Sequence, residues 1–108
     1  MTPEQAQETL DALRAEIDVV DLKLLALFNE RAKVVEEIGS IKRVAALPIY
    51  EPKREELVFL NVLQHNAGPL SEGAVRRLYE RIIDEMRTLQ RERMKQAQAD
   101  APGEGERK

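Results

Sequence analysis

The chain contains no cysteine and no tryptophan, and one histidine among 108 residues. Without cysteine there is no disulfide framework and no thiolate metal site, a composition suited to a reducing cytoplasm. Aromatic residues make up only 4%, which favours helix-on-helix packing by Leu, Ile and Val over a sandwich or barrel. No apolar run is long enough to cross a bilayer, and the opening "MTPEQAQ" has no signal-peptide pattern. The net charge of −3 supplies no basic footprint for nucleic acid. Also missing are a glycine-rich phosphate loop, a nucleophilic Ser or Cys setting, an acid/base pair with histidine and any metal-ligand spacing. What remains, with 43% hydrophobic and 34% charged residues, is the composition of a small all-α domain.

Three helices are predicted. "TPEQ" opens the first: Thr2 can cap, Pro3 suits the first helical position, and Gln5 stands at the return position of a capping box. From there apolar residues recur in steps of three and four: Leu10, Leu13, Ile17, Val20, Leu24, Leu27, then Val34, Ile38 and Ile41. This heptad seam has one polar member, Arg31. The two prolines of "AALPIYEP" end the helix near Val44. Some forty residues make a rod of roughly 60 Å, too long to bury its stripe within so short a chain. A second copy is the simplest partner. Helix two starts at Pro52 or Lys53 and carries Leu57, Leu60 and Leu63 inward, and "HNAGPLS" stops it. Ser71 caps helix three, whose inner face reads Val75, Leu78, Ile82, Met86 and Leu89, flanked by Tyr79, Ile83 and Gln90. Residues 1–95 form the helical domain, and 96–108, polar and aperiodic, a disordered tail. The "RERMKQ" run reads as the solvated end of helix three.

Polar residues on apolar faces are where chemistry would sit. Arg31 could snorkel to solvent, pair with a buried glutamate, or await an anionic ligand. Lys42 follows it by eleven residues, which returns to within about 20° of the same helix face, about 16 Å along the axis. Val34, Val35 and Ile38 lie between as an apolar floor, so two long cations could bracket a small dianion. Arg14 is about 25 Å from Arg31 along the helix and could join such a pocket only from a partner chain. In "YEPKREE", Glu51, Arg54 and Glu55 gather at the start of helix two, where acids favour the helix dipole and Arg54 is open to solvent. Gln90 places an amide where leucine would pack, so it must find partners if buried. His65, near a helix C-terminus, reads as structural.

Taken together, "LRAEIDVVDLKLLALFNERAKVVEEIGSIK", "PIYEPKREE" and "GPLSEGAVRRLYERIIDEMRTLQ" resemble the all-helical class of chorismate mutase over roughly residues 10–92. The wording "NERAKVVEEIG" and "YEPKREE" is most similar to the mutase domains fused to DAHP synthase in some bacteria. The resemblance implies an intertwined homodimer of three-helix chains with two active sites, each shared between protomers. It implies rearrangement of chorismate to prephenate without cofactor or metal, in aromatic amino-acid biosynthesis, with a DAHP synthase as a candidate partner. By the same resemblance Arg31 binds one substrate carboxylate and Arg14 of the other protomer the second. Lys42 and Gln90 donate to the ether oxygen, Glu51 and Glu55 hold the ring hydroxyl, and Arg54 completes a positive wall.

Two positions depart from the family pattern. Met86 stands where a small hydroxyl residue is frequent, which removes one carboxylate contact. Glu51 replaces an aspartate and precedes Pro52, leaving its side-chain and backbone contacts both open. Two other functions suit the same chain: a regulatory domain that binds chorismate or prephenate for a DAHP synthase, and a non-catalytic dimeric coiled-coil module. Retention of Lys42 and Gln90 favours chemistry over sensing, since a sensor needs the carboxylate clamps more than ether-oxygen donors.

Overall fold

The computed structural model describes residues 1–100 and shows three helices, α1 (Pro3–Val44), α2 (Pro52–Gln64) and α3 (Glu72–Asp100), with no strand among the described residues. None of these helices is long and apolar enough to cross a membrane. The chain divides into two units, Met1–Lys33 and Val34–Lys108, which are described in turn.

The first unit is the N-terminal part of α1. Its start is the expected reciprocal capping box: the Thr2 N–H donates to Gln5 Oε1 at 2.8 Å, and the Gln5 N–H donates to Thr2 Oγ1 at 3.1 Å. The seam residues Leu10, Leu13, Ile17, Val20, Leu24 and Leu27 are all exposed.

The second unit holds the last turns of α1 together with α2 and α3. Its core is small: Val35, Phe59, Val75 and Ile83 are the buried apolar side chains among the described residues. On α1 the buried positions are Val35, Gly39 and Lys42. The heptad seam next to them, Val34, Ile38 and Ile41, stays open. The chain therefore buries a stripe displaced by one residue from the apolar one that the sequence displays.

α2 packs on α3 through Phe59, with Arg76 stacked 4.6 Å from the centre of its ring. This corrects the expected inner face of α2, because Leu57 and Leu60 are exposed while Leu63 is half-buried. The helix carries two apolar stripes, and α3 takes the one bearing the large aromatic ring. On α3 the buried side is Val75, Ile83 and Gln90, whereas Leu78 is exposed.

The helix ends have identifiable causes. α1 stops in a Schellman motif, with the Leu47 N–H on Lys42 O at 2.8 Å and the Ala46 N–H on Arg43 O at 3.4 Å. Ala46 takes the left-handed position of that motif at φ 55°. Ser71 caps α3 as expected, its Oγ accepting from the Ala74 N–H at 3.1 Å. His65 is the C-cap residue of α2 and its Nδ1 pairs with Asn61 O at 2.7 Å. α3 continues through Asp100, so residues 96–100, expected in the tail, are helical. The remainder of that expected tail, 101–108, lies outside the described residues.

Candidate active site

Two polar side chains are buried among the described residues, Lys42 and Gln90. Both meet the last turns of α1. The Gln90 side chain crosses from α3 and its Nε2 donates to Val35 O at 3.3 Å. It lies directly over Gly39: a β-carbon there would sit 3.5 Å from Gln90 Cγ and 3.9 Å from Nε2. Both distances are ordinary van der Waals contacts, so the amide packs against this turn with room for a β-carbon. Lys42 is one turn further along the same buried stripe, so the ammonium and the amide share one side of α1.

The Lys42 side chain is only 10% exposed. Its Nζ donates to Ile49 O at 3.0 Å and pairs with Glu51 Oε1, also at 3.0 Å. Of these the bond to Ile49 O offsets most of the cost of a nearly buried ammonium, because the Glu51 carboxylate is partly solvated. Glu51 occupies the N-cap position of α2 but makes no side-chain cap bond. Its carboxylate turns to Lys42 instead. Glu55, in the first turn of α2, is held from α3 by Arg87, whose Nη2 lies 3.2 Å from Glu55 Oε1.

Of the other predicted site residues in this unit, Arg54 is exposed on the first turn of α2, and Met86 is half-buried on α3, one turn before Gln90. The second unit thus brings Lys42 to Glu51, and Gln90 to the same stretch of α1. Arg14 and Arg31 belong to the first unit. There Arg14 is exposed, with Asp11 Oδ1 at 3.9 Å.

Beside Gln90 the surface dips into a shallow depression of about 190 Å³, lined by Glu36, Gly39, Ser40, Arg43 and Arg93. There Arg93 forms an ion pair with Glu36. Lys42, Glu51 and Glu55 do not line this depression. The arrangement offers hydrogen-bond donors, one cationic and one neutral, in a dry setting. Such donors stabilise negative charge that develops on an oxygen, without any nucleophile.

The chain as a whole is similar to known proteins. Residues 13–91 match the profile of the family described as chorismate mutase type II. The chain belongs to that family. Chorismate mutase from Thermus thermophilus, in one of its solved forms, superposes with a TM-score of 0.75 at 35% identity, covering 77% of this chain and 94% of that one. A bifunctional chorismate mutase/prephenate dehydratase of Aquifex aeolicus is 40% identical over 88 residues, which are 78% of this chain and 24% of that protein. A 4-amino-4-deoxychorismate mutase of Streptomyces pristinaespiralis is 33% identical over 101 residues, 93% of this chain and 78% of that protein. This chorismate mutase family chain therefore spans about a quarter of the length of its bifunctional relatives. The second activity in the names of those relatives is prephenate dehydratase, where the sequence wording pointed to a DAHP synthase.

Sequence reasoning missed Arg87. One arginine on a helix with many charged neighbours reads as solvated, and its partner Glu55 is 32 residues away. The available signal was its place three residues before Gln90, on the flank of the inner face of α3.

Proposed function

We propose that this chain catalyses the rearrangement of chorismate to prephenate. The observation that carries the reading is the burial of Lys42 and Gln90, and of no other polar side chains among the described residues, on one side of the last turns of α1. In this isomerisation the ether C–O bond breaks while a C–C bond forms, so no atom is gained or lost. Catalysis then needs a compact substrate conformer and donors for the ether oxygen as charge grows on it. Lys42 and Gln90 supply those donors. Arg31, with Arg14 of a second copy, supplies the carboxylate clamps by family likeness. Glu51, Glu55 and Arg54 serve the ring end, and Met86 gives up the carboxylate contact of a hydroxyl residue.

The second copy is part of the proposal. Seam residues from Leu10 to Ile41 are exposed in the single chain, between 43% and 65% at the apolar positions. Such a stripe needs a partner, and an intertwined homodimer supplies one. A cytoplasmic setting and a DAHP synthase partner complete the reading and rest on composition and on sequence wording respectively.

The test is to follow loss of chorismate absorbance with purified wild type, Gln90→Ala and Arg31→Ala. Prephenate formed rapidly by wild type, with both variants crippled, supports the reading. A well-folded protein that gives no acceleration refutes it. Chorismate binding by that inactive sample would then favour a sensor, and its absence a dimerisation module. The Streptomyces relative's name raises a second substrate, in which an amine replaces the oxygen at ring position 4, to be assayed beside chorismate.

A further inference from the structure

Glu55 serves the ring end, but its partner Arg87 has no part in the chemistry above; the two form an ion pair enclosed on both sides. Both side chains are 23% exposed. Arg87 Nη2 also lies 3.2 Å from Asp84 Oδ1, but Asp84 is 59% exposed and its charge is largely screened by water. The guanidinium lies 5.3 Å from the centre of the Tyr50 ring, and Arg87 Nε is buried with no acceptor among the described residues. Packing, a ring and a carboxylate thus hold the cation in place even though one of its donors goes unused. Glu51, the other acid at the start of α2, has a cation of its own in Lys42.

We infer that Arg87, by occupying Glu55, makes the ring-substituent end of the site select a neutral hydroxyl over an ammonium. The inference rests on the proposed function, in which Glu55 faces that substituent. A carboxylate with a fixed cation on Oε1 keeps lone pairs for an O–H donor. An ammonium brought to the same carboxylate meets the guanidinium at close range, and like charges in a partly buried site repel. Without Arg87, Glu55 becomes a half-buried carboxylate with no ion-pair partner among the described residues, which favours an ammonium over a hydroxyl. Arg87 is in this sense a positioning residue that decides specificity and need not touch substrate.

The measurement is the ratio of kcat/KM for chorismate to that for 4-amino-4-deoxychorismate, in wild type, Arg87→Met, Arg87→Gln and Arg87→Lys. Arg87→Met should lower the ratio by about tenfold or more, chiefly through KM, because the contact is made in ground and transition states alike. Arg87→Gln keeps a donor for Glu55 without the charge and should show the same fall, which covers the case of a misfolded methionine variant. Arg87→Lys should restore the ratio to within about threefold of wild type. In Arg87→Met/Glu55→Gln the gain for the amine should vanish. A folded Arg87→Met or Arg87→Gln with a ratio within about twofold of wild type overturns the inference, as does an amine preference that survives Glu55→Gln. Wild type that turns over neither substrate refutes the proposed function itself, and is told apart because no ratio then exists.

Discussion

Replacing Lys42 by methionine separates a structural ion pair from a catalytic donor. The side chain is 10% exposed, so methionine recovers the desolvation cost of a nearly buried ammonium, which runs to several kcal/mol. Against this stands the hydrogen bond to Ile49 O, worth about 1.5–3 kcal/mol when the donor is charged. The Glu51 contact counts for little, because that carboxylate is 43% exposed and rehydrates when its partner goes. The terms nearly cancel, and the expected change in unfolding free energy is within about 1 kcal/mol. Turnover should fall by about 10²–10³, the cost of one donor aimed at developing charge, or about 2.7–4 kcal/mol. Urea melts followed by circular dichroism, with initial rates of chorismate loss, read the two quantities on one sample. A loss of more than about 3 kcal/mol in stability would mean that Lys42 is first a structural tie. Turnover within tenfold of wild type would mean that it does not serve the ether oxygen.

Ala46→Gly should stabilise the fold by about 1 kcal/mol, since glycine carries no steric cost at φ 55°; an unchanged or lower melting temperature refutes this. Gly39→Ala should be neutral or stabilising by up to about 1 kcal/mol, because the new β-carbon meets Gln90 Cγ at an ordinary 3.5 Å and alanine favours the helix. A marked fall in its melting temperature would show that the amide needs closer access to the backbone than this contact implies. If a second copy covers the seam, the melting temperature should rise with protein concentration, and sedimentation should give the mass of two chains. A concentration-independent melt with the mass of one chain refutes the homodimer.

Much of the local structure was legible because local chemistry specifies it. The Thr2–Gln5 box, the Ser71 cap and the end of α1 at Val44 each follow from a few neighbouring residues. Gln90 was legible as an amide on an apolar stripe, and Lys42 through its spacing from Arg31. The displaced stripe of α1 was not, since its buried members are Val35, a glycine and a lysine, and only the first adds to an apolar pattern. Hydrophobic periodicity finds the greasiest face of a helix but cannot say whether that face meets its own chain or another. Phe59 was passed over on α2 for a similar reason, because three leucines at regular spacing outweigh one ring in the pattern. Arg87 and Glu55 were out of reach as a pair because no spacing rule joins residues on different helices.

The connection from α1 to α2 holds Lys42 at both ends. Its backbone carbonyl accepts from the Leu47 N–H, and its ammonium donates to Ile49 O and pairs with Glu51. Loops are ordinarily where a chain absorbs inserted or deleted residues at least cost. Residues 45–51 are an exception, because a change in their number would displace the ammonium's two acceptors relative to its own main chain. Length variation within this fold should therefore fall in the stretch 65–71 between α2 and α3, which touches neither Lys42 nor Gln90 through any hydrogen bond found among the described residues. Grafting a tag or reporter loop into this chain should begin there.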